Sequence, residues 1–362
     1  MNTSFENELK PLERVLLAHQ GKEVDRVPVC SLAVGCTRVL SGVSFEEFSR
    51  DAEKAANSIY VANRLINEDV IFSFIDLSVE AADFGQKMVY PLNSTAHPNY
   101  EDLLIKEVND YKRLSTPNPR QSPRMSNYLE MTNKLVQYYR DFCPVVSFVY
   151  GPLGVLGMMR SYEKLYLDML QYPDEVKVAL ETITHTLNEY VKAQCELGVT
   201  SVCIDTLPGS RSSIKPETWE EFEGKYVKQL ADTIRESGCM VSNHGCGDSP
   251  YFREVKKWME PELISFADLP DDCSDVNELK QTYGQDCTLM GYISTDMLFH
   301  ASAAEILQES WKQIDTLGKG SKFILAPGCE YPPNKDIVNA RALVLASESY
   351  NRANLNILRS LW

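Results

Sequence analysis

No Cys-x-x-Cys pair, no block of lysine and arginine, and no Ser/Gly-rich linker occurs in this chain of 362 residues. Each absence removes a class of function. Ten cysteines scattered without paired spacing do not form the framework of a small secreted domain, so most are expected to be reduced and buried as small apolar side chains. A net charge of −15, with basic residues nowhere clustered or interleaved with aromatics, argues against a nucleic-acid partner. The N-terminal stretch "MNTSFENELKPLERVLLAH" lacks the basic, apolar and small-residue succession of a secretory signal, so the cytoplasm is the expected location. The long uncharged run "FCPVVSFVYGPLGVLGMM" holds two prolines and three glycines, which suit a strand, a turn and a helix start better than a membrane span.

What is present is an alternation. Short apolar or β-branched runs begin at Val27, Asp69, Val145, Ser201, Met240, Leu263, Thr288 and Phe323, and amphipathic helical patterns lie between them. Eight such runs predict an α/β fold, a (β/α)8 TIM barrel, with an N-terminal extension and an insertion after the second strand. The stretches "FEEFSRDAEKAANSIYVANRLI", "YPDEVKVALETITHTLNEYVKAQCELG" and "KPETWEEFEGKYVKQLADTIRESG" read as outer helices. With no repeat or linker to divide it, residues 1–362 are expected to form one domain. The insertion, residues 89–127, is rich in Pro, Asn, Ser and Tyr and reads as a lid or an ordinary excursion.

In such barrels the chemistry sits where strands end. Asp76, Asp205, His244, Cys246 and Asp268 fall at or just beyond strand ends, and Cys329 follows the last strand, so six capable residues should share one rim. His244 and Cys246 flank Gly245 in "SNHGCGDS" and can share a zinc ion, with Cys329 of "LAPGCEYPP" as third ligand and a fourth position open to substrate. The competing reading is a core histidine beside a core cysteine. Asp205 either orients a substrate or a ligand, or caps the next helix. Tyr150, before "GPLG", either lines the pocket or packs.

The segments "PLERVLLAHQGKEVDRVPV", "CIDTLPGSRSSIKPETWEEF", "SNHGCGDS" and "ILAPGCEYPPNKDIVNARALV" together resemble the uroporphyrinogen decarboxylase superfamily, and within it the methylcobamide:coenzyme M methyltransferases. The resemblance implies zinc on His244, Cys246 and Cys329, and a methyl group moved between a cobamide, carried by a partner corrinoid protein, and a small substrate such as coenzyme M. An O-demethylase that loads the corrinoid from a methoxylated donor is the alternative direction. Asp76 in "FSFIDLS" matches the decarboxylases' central aspartate, but "VPVCSLAVGCTRVL" has no arginine before Arg38 to hold a porphyrinogen's carboxylates, which counts against decarboxylation. Tyr292 in "LMGYIS" stands where the superfamily often has Gly-Asn, and is a candidate substrate contact. The site is also similar to that of cobalamin-independent methionine synthase, which suggests Asp268 as a displaceable fourth zinc ligand; otherwise Asp268 is a solvated loop residue beside Asp271 and Asp272. The rival from another class is a non-catalytic binding protein.

Overall fold

The computed structural model describes residues 8–350. The strands are β1 Ile71–Phe72, β2 Met88–Val89, β3 His97–Pro98, β4 Val145–Tyr150, β5 Ser201–Asp205, β6 Met240–Gly245, β7 Leu263–Phe266, β8 Thr288–Ile293 and β9 Phe323–Pro327. Seven of them form one parallel sheet in the order β1-β4-β5-β6-β7-β8-β9. The expected strand at Val27 closes it into a barrel. Val29 bridges Leu325 of β9 in parallel, and on the other side its carbonyl accepts from Asp69 N at 2.8 Å.

That first strand is reduced to a single bridge for a visible reason. Where a neighbouring strand would supply carbonyls, carboxylates take the N–H groups: Val29 N donates to Asp69 Oδ2 at 2.9 Å and Ser31 N to Glu68 Oε2 at 2.6 Å. Leu32 then leaves the extended region with φ 49°, ending the strand. The Asp69 carboxylate, fully buried, also receives Nη1 of Arg14 and both Nη1 and Nη2 of Arg26, at 2.6 to 2.9 Å.

The outer helices follow the sequence pattern, with two departures. Phe45–Arg50 and Ala52–Ile66 are separate because Asp51 sits between them in extended conformation and caps the second through Glu53 N and Lys54 N. The helix expected after β5 is interrupted by a π turn at Glu220–Gly224, between Pro216–Trp219 and Lys225–Glu236. The N-terminal helix Pro11–His19 plugs the bottom of the barrel, where Val15 packs on Cys30, Val70, Met290 and Ile324.

The long uncharged run divides into β4 and the helix Pro152–Arg160, and among the described residues no helix is long and apolar enough to cross a membrane. The insertion is ordered. Its β2–β3 hairpin is antiparallel, a 3₁₀ turn covers Val108–Arg113, and its last residues already belong to the helix Pro123–Tyr139. Gln86 fastens it, donating to the Lys87 carbonyl at 2.9 Å and accepting from Leu104 N at 2.8 Å.

Candidate metal centre

Parallel pairing sets the registers that build the site. Asp205 stands beside His244, and His244 beside Ser265, across β5, β6 and β7. All three side chains are buried. His244 Nδ1 lies 3.0 Å from Ser265 Oγ; the tautomer that donates this hydrogen bond leaves the Nε2 lone pair for a metal and fixes the ring, the service an outer hydrogen bond performs for a ligating histidine.

Past the end of β6 the chain turns and presents Cys246; past β9 it presents Cys329. The ligand atoms of His244, Cys246 and Cys329 all lie within 4.8 Å of one another. Gly328 makes this convergence possible, because a Cβ there would meet Ala267 Cα at 2.6 Å and force the end of β9 away from the end of β7. Gly245, by contrast, has ordinary room for a side chain.

The three groups share their protons. A hydrogen bond from Cys246, together with the His244 imidazole, outweighs burial and holds the Cys329 thiol down at about 4, while Cys246, facing that sulfur, is pushed well up. Burial opposes charge on His244, but the Cys329 sulfur and Asp205 raise its pKa above the ordinary 6.5. Two cysteine sulfurs and an imidazole this close form a soft donor set of the type that holds zinc, and metal binding would displace their remaining protons.

The centre lies at the C-terminal end of the barrel strands, in a cavity of about 290 Å³. Five of the six rim residues expected from sequence meet there: Asp76, Asp205, His244, Cys246 and Cys329. Asp205 accepts from Leu207 N at 2.8 Å, and burial, reinforced by Cys329 and opposed by His244, pushes its carboxyl up to about 6. Asp76 is fully engaged: Arg124 Nη2 and Ser49 Oγ donate to one oxygen at 2.7 Å, and Ser78 N and Oγ to the other at 2.9 and 2.5 Å.

Asp268 is the exception. It is exposed, accepts from Ser249 N at 3.1 Å and stands outside the group of ligand atoms, so the structure places it as a brace for the loop after Cys246. Neither tyrosine lines the cavity. Tyr150 is buried with its hydroxyl 2.5 Å from that of Tyr162, and Tyr292 stacks on Phe266 with ring centroids 5.5 Å apart.

Sequence reasoning passed over three features. Glu330, next to Cys329, faces the cavity; burial pushes its carboxyl up to about 8, and Gly35 N donates to it at 2.9 Å. An aromatic cluster of Phe72, Phe74 and Phe148 lines the same cavity, its rings 4.8 to 6.4 Å apart. The insertion supplies Thr95 to Pro98 and Tyr100 at the mouth, where His97 and Tyr100 stack at 6.0 Å. Only the adjacency of Glu330 to a predicted ligand was a sequence signal; the other two depend on which way short strands and a loop face.

Comparison with known proteins agrees with the fold. The family model for uroporphyrinogen decarboxylase (URO-D) matches residues 10–350. Among curated relatives, the chain is 21% identical to methylcobamide:CoM methyltransferase MtbA of Methanosarcina acetivorans over 95% of this chain and 99% of that one. It is 22% identical to MtaA of Methanosarcina barkeri over 93% and 97%, and 21% identical to a uroporphyrinogen decarboxylase of Aquifex aeolicus over 85% and 87%. Among solved structures, a methyltransferase from Methanosarcina mazei superposes with TM-score 0.81 at 20% identity, covering 95% of this chain and all of that one. A B12-independent methionine synthase from Shewanella sp. W3-18-1 gives TM-score 0.51 at 13% identity over 84% and 89%. These likenesses establish the TIM barrel.

Proposed function

The chain belongs to the uroporphyrinogen decarboxylase (URO-D) family, and on that premise we propose that it is a zinc-dependent corrinoid methyltransferase. It moves a methyl group between a cobamide, held on a partner corrinoid protein, and the sulfur or oxygen of a small substrate. The observation that carries this reading is the His244, Cys246 and Cys329 cluster on a cavity at the C-terminal end of the strands. The likeness to proteins named methylcobamide:CoM methyltransferases along nearly their whole length supports it.

His244 through Nε2, and Cys246 and Cys329 through their sulfurs, would hold the zinc. When bound, zinc supplies Lewis acidity that favours the anionic form of a substrate thiol or phenol; lowering a thiol pKa of roughly 8.5 by about two units is worth about 2.7 kcal/mol. The remaining work belongs to the chain. Ser265 fixes the imidazole, the phenylalanine wall keeps water from the reacting atom, and the buried Asp205 carboxyl, beside His244, can take or return a proton as substrate enters and leaves.

A decarboxylase reading lacks support from the cavity. Arg38, the first arginine after the opening strand, lies 3.6 Å over the Phe45 ring and donates to Asn334, and Arg124 is spent on Asp76 and Tyr90. The test is methyl transfer followed in both directions under anaerobic conditions. Zinc-loaded protein should consume methylcobalamin with a small thiol as acceptor, or methylate cob(I)alamin from a methoxylated donor. Failure in both directions with the cognate corrinoid protein present would reject the reading.

A further inference from the structure

The cavity that holds the candidate zinc ligands has an unusual charge inventory. Its lining contains neither lysine nor arginine among the described residues. The carboxyl groups of Asp76, Asp205 and Glu330 all face it. Its imidazoles are His244, committed to the cysteines, and His97, whose Nδ1–H donates to the Pro98 carbonyl at 2.9 Å. Arg124, paired to the cavity's Asp76, is buried and shares its guanidinium between that carboxylate and the Tyr90 hydroxyl. A sulfonate or carboxylate on the body of the substrate, away from the metal ligands, would therefore lose its water and meet no lysine or arginine of the wall, whatever the protonation of the three acids.

Thr95 and Tyr100 apart, the rest of the wall is apolar. Phe74 and Phe148 meet edge to face at 4.8 Å, Phe72 completes the cluster, and Leu32, Val34 and Met158 extend it. Such a slot takes a flat ring by offset or edge contacts.

We propose, resting on the methyltransferase reading above, that the small substrate is an uncharged aromatic molecule whose reacting sulfur or oxygen is carried on the ring or on its methylene, and that alkyl sulfonates are excluded. With an aryl methyl ether as donor, the O–CH3 bond breaks, its electron pair stays on oxygen, and the phenoxide leaves and takes up a proton. The methyl carbon is bonded by the electron pair of cob(I)alamin. With an arylmethyl thiol as acceptor, the thiol gives up its proton and its sulfur takes the methyl from methylcobalamin, leaving cob(I)alamin.

The experiment is equilibrium binding by titration calorimetry to the purified zinc-loaded chain without cobalamin. Phenylmethanethiol is compared with 2-mercaptoethanesulfonate, two thiols differing in the body they carry, and 2-methoxyphenol forms a third arm. At least one of the two aromatic probes, phenylmethanethiol or 2-methoxyphenol, should bind at least ~10-fold more tightly than the sulfonate, because an unpaired buried charge is disfavoured. Heat from 2-methoxyphenol but not phenylmethanethiol assigns the donor direction; the reverse assigns the acceptor direction. Met158→Arg, which places a cation on the partly exposed wall position, should weaken the aromatic probe and strengthen the sulfonate. Equal or tighter binding of 2-mercaptoethanesulfonate to the wild type overturns the inference and leaves the methyltransferase reading standing, as does heat from none of the three. Aromatic binding that is unchanged in zinc-free Cys329→Ser overturns both, since the reacting atom is then not at the metal ligands.

Discussion

Cys329 is the residue on which the site turns, because it brings the end of β9 to the His244 and Cys246 pair. It was legible in the sequence as a cysteine following the last strand, as His244 and Cys246 were legible at the end of the fifth. Asp268 was not. It lies two residues past the end of β7, and nothing in "SFADLPDD" says that the turn carries the carboxylate out to Ser249 N. Asp268→Asn keeps an oxygen for that donor, so zinc content should equal that of the wild type and substrate affinity should stay within a factor of about two, an exposed hydrogen bond being worth little. A loss beyond tenfold in a binding titration would bring Asp268 back to the metal. Gly328 was not legible either: its missing Cβ is what the site requires, whereas Gly245, between the two predicted ligands, has room for a side chain.

At the level of elements, the strand runs and helix starts were readable because apolar periodicity is a local property. The pieces that depend on partners were not. The β2–β3 hairpin has two residues in each strand and no alternation to betray it, and the π turn at Glu220–Gly224 sits inside an unbroken helical pattern. The short helix Val79–Asp83 carries another hidden feature, Glu80, fully enclosed and accepting from Tyr150 N at 3.1 Å. Burial, reinforced by Asp76 and Asp83 and opposed by the Tyr150 amide, pushes its carboxyl up to about 8 from 4.5. The folded state thus binds this proton more tightly than the unfolded chain. Its contribution is fully present below about 4.5 and is lost as pH rises toward 8. Glu80→Gln keeps the acceptor for Tyr150 and abolishes that loss, so its Tm relative to the wild type should rise between pH 5 and pH 8.5 by a few degrees, about 2–4 °C accompanying each kcal/mol in domains of 150–250 residues. Parallel Tm curves for the two proteins across that range would contradict the assignment.

Across the whole molecule, closure of the barrel is electrostatic where it is not a backbone ladder. Asp69 ties Arg14 of the N-terminal helix and Arg26 of the entering strand to the edge of β1, and Asp25 shares Arg14 at 2.6 Å. Removing the central partner leaves two guanidinium groups buried. Asp69→Ala should therefore cost on the order of 3–5 kcal/mol in urea unfolding, and a cost below about 1 kcal/mol would show that the barrel closes without it. The eight-strand alternation predicted the barrel, but not this closure, since the sequence separation of Arg14 and Asp69 carries no local pattern.

The same closure places the first and last strands side by side, and with them the cavity and its cysteines. The claim that depends on all of this is the metal. Element analysis and X-ray absorption on protein purified without added zinc should give one zinc per chain with a nitrogen at about 2.0–2.1 Å and two sulfurs at about 2.3 Å. Cys329→Ser should lose most of that zinc, while Cys195→Ser, in the helix Pro173–Glu196, should keep it. Full zinc occupancy in Cys329→Ser, or a shell of oxygen and nitrogen without sulfur in the wild type, would contradict the account.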